Sequence, residues 1–334
     1  MPATGRLRAS AVLLAALLSL FVAAAPPERA HAQEWPTRAV TLVVPFAAGG
    51  PVDTAARIMA ARLTENLGQQ VIVENVSGAG SMMGGSRVAK AAPDGYTFLH
   101  GNRSTHIYSQ ILSKKPMYDA LAEFAPVAAF VENSAVLLVR KDFPAATLGE
   151  FSAQLRANRD KLQFASAGAG SASHVVCVLL NSAIGVEITH IPYRGTAPAL
   201  QDLIGGRVDY LCDIISTAIP PIQSGLVKPL AILSSRRNAA LPDLATADEQ
   251  GLKDFDVDAW NAFFFPKGTP DAIVRRLATA TSDVVEIPAV AKRLAEIGLQ
   301  VSARERGNPE YVAKLVKTEL ETWRKPLLAS GAAQ

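Results

Sequence analysis

From residue 39 onward the chain alternates short apolar runs rich in β-branched residues with longer amphipathic stretches. "AVTLVVPF" (39–46) reads as a strand. "TAARIMAARLTENLG" follows, with Ala55, Ile58, Met59 and Leu63 on one face and Gly68 as a C-terminal stop. "QVIVEN" reads as the next strand and "SMMGGSRVAKA" as a second helix, ended by the turn "PDG"; "YTFLHG" is a third strand. This βαβαβ order predicts a parallel sheet with helices on both faces.

The grammar then restarts. "SAVLLVRKDF" is a strand, "TLGEFSAQLRAN" a helix with Thr147 as N-cap, and "LQFASA" a strand. A glycine turn and helix, "GAGSASHVVCVLLNSAIG", come next. "ITHIPY" is a strand, and "TAPALQDLIGG" a helix capped by Thr196 and closed by glycine. "RVDYLCD" and "KPLAILSS" are further strands. The tail is helical: "TPDAIVRRLATATSDVVE" with Thr269 as N-cap and Pro270 in the first turn, a shorter helix to Gly298, and a long closing helix from "NPEY". A helical tail that packs back on the first unit makes the chain cross between domains twice and leaves a cleft between them. The expected division is 33–134 with 241–334 as one domain and 135–240 as the other, each boundary good to about 15 residues.

Length agrees, because 334 residues exceed what one hydrophobic core usually serves. A formal charge of +3 and no run of more than two Lys or Arg argue against a nucleic-acid partner. Arg6 and Arg8 precede an uncharged stretch from Ala9 to Ala25, followed by the small-x-small triplet Ala30-His31-Ala32. This is the layout of a secretory signal, so residues 1–32 are expected to be cleaved at Ala32-Gln33 and the protein to be periplasmic. Removing them leaves 30 basic and 29 acidic residues, close to neutral. The two cysteines, Cys177 and Cys212, are expected as free buried thiols. With five histidines in no ligand-like spacing, they make no zinc site.

Four segments at the ends of expected strands could carry chemistry, the position where open α/β sheets bind ligands. In the first, 45–53, Gly49 and Gly50 let backbone N–H groups approach a ligand at a helix start; Asp53 either caps that helix or contacts the ligand. The second, "ENVSGAGSMMGG", places Gly78, Gly80 and Gly84 in a weak dinucleotide pattern after the wrong strand. In the third, "SAGAGSASH", Ser166, Gly170, Ser171, Ser173 and His174 form either an anion nest at a helix start or, through Ser171 and His174, a nucleophile with its base. The fourth contains Tyr193, Arg194 and Gly195; Arg194 is a carboxylate partner or a surface cation, and Asp213 an acceptor or a turn residue.

"WPTRAVTLVVPFAAGGPVDTAAR", "LGQQVIVEN", "GAG", "PDGYTFL", "FAPVA", "HIPYRGTAPALQDLIGGRVD" and "PKGTPDAIVRRL", in this order, resemble the Bug-type solute receptors. These are the periplasmic substrate-binding proteins of tripartite tricarboxylate transporters. The resemblance covers nearly all of the mature chain. It implies a type II-like Venus-flytrap α/β fold: two domains, two crossovers and a carboxylated ligand in the cleft. It also implies that the 45–53 and 166–174 loops grip a carboxylate through backbone N–H groups and ordered waters. The "PYRG" turn would be a third contact. The sequence departs from the family at Ala47-Ala48, where prolines are common, with proline at Pro51 instead. It departs again at "ENVSGAGS" and at Tyr118-Asp119-Ala120. "GNRSTH" (101–106) is where specificity is expected to vary, through Arg103 or Ser104.

The resulting expectation is a monomeric, non-enzymatic periplasmic receptor for a small carboxylate, without metal or cofactor, that hands its solute to membrane transporter subunits or a sensor domain. The expected ligand contacts are Phe46, Ala47, Ala48, Gly49, Asp53, Ser104, Ser166, Gly170, Ser171, His174, Tyr193, Arg194 and Asp213. The rival readings are a secreted hydrolase using Ser171 and His174, and a nucleotide-dependent oxidoreductase using the Gly78–Gly84 loop.

Overall fold

The computed structural model describes residues 35–330, so the signal segment 1–32 and the cleavage point Ala32-Gln33 lie outside the described residues. The first βαβαβ unit forms as the pattern requires: β1 (Val40–Val44), α1 (Pro51–Leu67), β2 (Val71–Asn75), α2 (Met82–Ala89) and β3 (Thr97–Asn102). Gly68 ends α1 in the left-handed conformation, φ 71°, and its N–H bonds to the Thr64 carbonyl. Strands β2 and β3 flank β1 in parallel. A helical turn over Ser104–Tyr108 and α3 (Ser109–Leu112) follow β3.

The sheet is not wholly parallel. It gains β4 (Phe124–Asn133), β10 (Ala259–Pro266) and β11 (Leu299–Val301), giving the order β11-β4-β10-β3-β1-β2, with β10 antiparallel to both β3 and β4. None of these three strands is legible from alternation. All eight residues of β10 are buried, so its sequence has no polar face to alternate with. Pro126 interrupts β4, but it sits where the pairing with β10 shifts register, a place where a missing N–H is tolerated. Phe130 and Phe263 stack across this pair at 4.4 Å between ring centroids.

The second unit contains β5 (Ala135–Arg140), α4 (Leu148–Asn158), β6 (Gln163–Ser166), α5 (Ala172–Ile184), β7 (Thr189–Pro192), α6 (Thr196–Ile204), β8 (Tyr210–Ile214), α7 (Ile215–Gln223) and β9 (Val227–Ile232). Its sheet order is β7-β6-β8-β5-β9, with β6 parallel to β7 and β8, and β5 antiparallel to β8 and β9. Thr147 caps α4 by accepting the Glu150 N–H, as expected. The chain passes from the first sheet to the second between Asn133 and Ala135, and returns between Ile232 and Ala259. On the way back, Ala247 and Val257 are still buried in the second sheet's core.

The tail folds onto the first sheet as α8 (Asp271–Glu286), α9 (Pro288–Glu296) and α10 (Pro309–Ala329). Thr269 does not cap α8, and Thr196 does not cap α6, where it is the first helical residue after the N-cap Gly195. Helix α8 starts at Asp271 with no side-chain cap, and the Thr269 hydroxyl donates backwards to the Pro266 carbonyl. Among the described residues no helix is long and apolar enough to cross a membrane.

The cysteines correct the expectation of free thiols. Cys177 on α5 and Cys212 on β8 are joined in a disulfide, with Cα atoms 5.4 Å apart. α5 packs across β8 with both residues facing the core, a juxtaposition that their spacing of 35 does not reveal. Closing a loop of this length restricts the unfolded chain by about 3–4 kcal/mol. Replacing both cysteines by Ala is therefore expected to lower unfolding stability by roughly that amount, and further through the packing lost with two buried sulfur atoms. Denaturant unfolding of the variant against the oxidised protein measures it, and coincident midpoints would contradict the estimate.

Candidate functional site

The site begins where β1 ends. The chain turns through Phe46 to Gly50, with Gly49 at φ +78°, a conformation that favours glycine. Asp53 lies beneath this turn and is buried. Its carboxylate accepts from the Gly49 N–H (2.9 Å), the Arg57 Nε (2.9 Å) and the Asn75 Nδ2 (3.0 Å), while Asn75 also donates to the Phe46 carbonyl. Burial acts to raise its pKa, but these hydrogen bonds outweigh burial and hold the carboxyl below its ordinary value. Asp53 is thus neither the N-cap, which is Gly50, nor free for a ligand; it buttresses the loop.

The second loop leaves β6 at Ser166. Gly168 and Gly170 take φ values of +112° and +79°. Ser166 Oγ accepts the Gly168 N–H, Ser173 Oγ accepts the Ala167 N–H, and His174 Nδ1 accepts the Gly170 N–H. Ser171 is the N-cap of α5, accepting the His174 backbone N–H at 3.3 Å. The His174 side chain therefore turns away from the Ser171 hydroxyl, and the pair is not arranged as nucleophile and base. Instead His174 packs beside His190, ring centroids 4.2 Å apart, on a separate groove of about 960 Å³ behind the loop. Burial pushes both imidazoles down, His174 to about 3 and His190 to about 4.

The two sheets meet at these loops. Ser104 Oγ, after β3, accepts the Ala172 N–H at the start of α5 (2.8 Å). A Cβ on Gly195 would stand 2.8 Å from the Ala47 Cβ, so the Ala47-Ala48 departure lets the 193–195 turn close down on the first loop. A Cβ on Gly80 would stand 2.0 Å from the Ala169 carbonyl oxygen. Gly84 lies equally tight on Pro45, and Gly85 on the Tyr118 ring. The glycines of the weak dinucleotide pattern therefore serve close packing.

Enclosed between the sheets is a narrow cavity with about 30 Å³ for the centres of water molecules, enough for an ordered water or two. Of the expected contacts, Phe46, Ser104 and Ser171 line it. Ala47, Gly49, Ser166 and Gly170 shape the loops around it without lining it, and Ala48 is exposed. The Tyr193 hydroxyl is turned outward, donating to Asp202 at 2.6 Å. Arg194 is exposed on the protein surface. Asp213 is fully buried behind Ile214, accepting from the Ile214 N–H and the Thr217 hydroxyl at 2.7 Å each. Burial without a cation pushes its carboxyl up to about 7.

Other residues complete the lining. Pro51 and Val52 bring the start of α1, Ala172 and Ser173 that of α5, and Thr196 that of α6. In the first turn of a helix, backbone N–H groups have no carbonyl one turn back to receive them. Among the described residues Arg103 is the one charged side chain of the lining, and none of them brings a carboxylate to it. Its guanidinium is held in a fork by Glu319 of α10 and donates to the Asp258 carbonyl; Glu319 also accepts from Trp260 Nε1 at 2.8 Å. Burial opposes its charge, but Tyr108 and Glu319 more than offset that and raise its pKa. The sequence signal for Arg103 was its place in "GNRSTH"; nothing in the sequence pairs it with Glu319.

A family model described as "Tripartite tricarboxylate transporter family receptor" matches residues 55–330. A UPF0065 protein from the TAR-I ttuE-ttuC' intergenic region of Agrobacterium vitis is 37% identical over 93% of this chain and 90% of its own. Among solved structures, the periplasmic binding protein BugD superposes with a TM-score of 0.86 at 38% identity, covering 90% of this chain and 99% of that one. MatC of Rhodopseudomonas palustris with bound malate gives 0.85 at 42% identity, covering 88% and 100%. The likeness extends over both sheets, so the fold is the two-domain α/β architecture of periplasmic binding proteins.

Two outcomes follow from this geometry. Gly80→Ala places a methyl where the two loops touch, so it is expected to hold the domains apart while leaving both cores intact. Small-angle scattering should give a larger radius of gyration, and an unchanged radius would refute the contact's role. Asp213→Asn addresses pH. The folded pKa of about 7 exceeds the ordinary 3.8, so this group's share of stability is complete below pH 3.8 and is lost as pH rises towards 7. The buried histidines act oppositely, but they cancel in the difference between variant and parent. The variant should gain on the parent as pH rises from 4 to 7; parallel denaturation midpoints across that range would refute it.

Proposed function

The chain belongs to the tripartite tricarboxylate transporter receptor family, and from that membership we propose that it is a periplasmic receptor that closes its two domains on a small carboxylate. The observation that carries the reading is the lining of the interdomain cavity. Three helix starts, at Val52, Ser173 and Thr196, converge there with Arg103, and no acidic side chain opposes them. Oriented N–H groups at helix starts favour an anion. The malate bound by MatC supports a carboxylate as that anion.

The 45–53 and 166–174 loops act in this reading as the two jaws. Phe46, Ser104 and Ser171 touch the solute, while Asp53, Ser166 and His174 hold the jaws in shape. Hinge bending at 133–135 and near Asp258 opens the cleft, with the return crossing placed close to Asp258 because Val257 still packs with the second domain. The receptor works as an exported monomer, cleaved after Ala32, and delivers its solute to membrane transporter subunits or a sensor domain. It is not an enzyme: the absence of a bond between the Ser171 hydroxyl and the His174 ring supports binding without turnover.

Thermal unfolding in a panel of mono-, di- and tricarboxylates tests this. A solute at about 100 times its Kd adds about 2.7 kcal/mol of stability, which should raise Tm by several degrees. A melting temperature that no carboxylate moves would sink the reading.

A further inference from the structure

The cavity wall has a feature beyond its helix starts. Asn102 ends β3 and Asn133 ends β4; both are nearly buried and both line the cavity. Asn102 Oδ1 accepts two backbone N–H groups, from Ser104 at 2.9 Å and Thr105 at 3.3 Å. A backbone N–H can only donate, so this oxygen is fixed and the amide NH2 is left over. Asn133 Oδ1 accepts from Asn261 Nδ2 at 3.4 Å, and Asn261 Oδ1 faces His100 Nε2 at 2.9 Å. His100 is fully buried, and burial pushes its pKa down to about 4, so it is neutral. Its Nδ1 has no partner. An unpartnered buried lone pair costs less than an unpartnered N–H, so the proton sits on Nε2 and donates to Asn261. That orients Asn261, and Asn261 orients Asn133 with its NH2 unused. Neither NH2 has a protein partner among the described residues.

The hydroxyls agree. Ser104, Ser171 and Ser173 each spend an acceptor site on a backbone N–H, from Ala172, His174 and Ala167. Ser171 and Ser173 also share a hydrogen bond at 3.2 Å that spends one of their two O–H groups, so Ser104 and one of this pair keep an O–H to offer. With Arg103, the wall is therefore built of donors.

We propose that Asn102 and Asn133 are specificity-determining residues that read a second acceptor-only group, so that the solute is a dicarboxylate without an ammonium group rather than an amino acid. This rests on the carboxylate-receptor reading and narrows it. The cavity as closed here has room for only a water or two, so the domains must part to admit the solute; the helix starts then hold one carboxylate, and the two carboxamides donate to the other. An ammonium group, which can only donate, would meet donors and no carboxylate, and a site built this way rejects it by leaving its N–H groups unpaired.

The test is calorimetric titration of the protein with α,ω-dicarboxylates of four to six carbons. Each is compared with the ω-amino acid and the monocarboxylate of matching length. The parent should bind at least one dicarboxylate at least tenfold tighter than its two analogues. Asn133→Leu should weaken that dicarboxylate by about ten- to a hundredfold, the worth of a hydrogen bond to a charged group, and leave the monocarboxylate within twofold. Asn133→Asp and Asn102→Asp keep the inward-facing oxygens, and with them the local fold. At pH 8 they should weaken the dicarboxylate and narrow its lead over the ω-amino acid. Equal affinity of the parent for dicarboxylate and ω-amino acid, or variants that keep dicarboxylate affinity within twofold, would overturn the proposal while leaving the receptor reading standing. A parent that binds none of the carboxylates would overturn both.

Discussion

The site depends on backbone N–H groups that helices α1, α5 and α6 cannot satisfy themselves. Each helix begins at the end of a parallel strand, and the fold turns the two sheets so that these starts face a common cavity. Part of that need is met within the protein: Ser104 Oγ takes the Ala172 N–H from the other domain, and Ser171 Oγ takes the His174 N–H.

Donors held so closely need rigid supports, and the buried polar residues supply them. Asp53 accepts the Gly49 N–H from beneath the first jaw, and Arg57 and Asn75 keep it charged there. Removing any one of these leaves a buried group short of a partner, and the loss appears in the loop before it appears in a core. In the second jaw the serines of "SAGAGSASH" do comparable work, each taking up a backbone N–H that would otherwise compete for the solute. Hydroxyls that resemble catalytic groups in the sequence are here fasteners of a loop.

That distinction marks how far the sequence could be read. Strands β1, β2, β3 and β5 to β9 are legible as short apolar runs set between glycine stops, turns and helical stretches such as the one capped by Thr147, even though β1 and β5 are themselves buried almost throughout. Strand β10 leaves no such trace, being buried on both faces, and β4 is masked by Pro126. The loops 45–53 and 166–174 were legible as glycine turns at helix starts, the candidates for holding an anion. The direction of each side chain was not, since Asp53, Tyr193, His174 and Asp213 all point away from the cavity to partners fixed by tertiary packing. The Cys177–Cys212 pairing, the place of Asn102 and Asn133 on the cavity wall and the pairing of Arg103 with Glu319 belong to the same class. They depend on which strand ends lie side by side, and spacing along the chain does not encode that.

The position of Arg103 links the cavity to the hinge. Its guanidinium lines the cavity, yet its bonds run to Glu319 on α10 and to the Asp258 carbonyl at the return crossing. Trp260, two residues further on, donates to the same Glu319 carboxylate. Asn133 lies at the other crossing. In the proposed receptor, a solute that reaches Arg103 and Asn133 would lie beside both connections between the sheets, one directly at Asn133 and one through the Asp258 carbonyl. Neutralising Arg103 with Glu319 keeps the pair tolerable in a buried setting, where an isolated guanidinium would not be. It also limits how strongly this arginine alone can attract an anion, so hydrogen-bond geometry rather than net charge has to supply most of the discrimination.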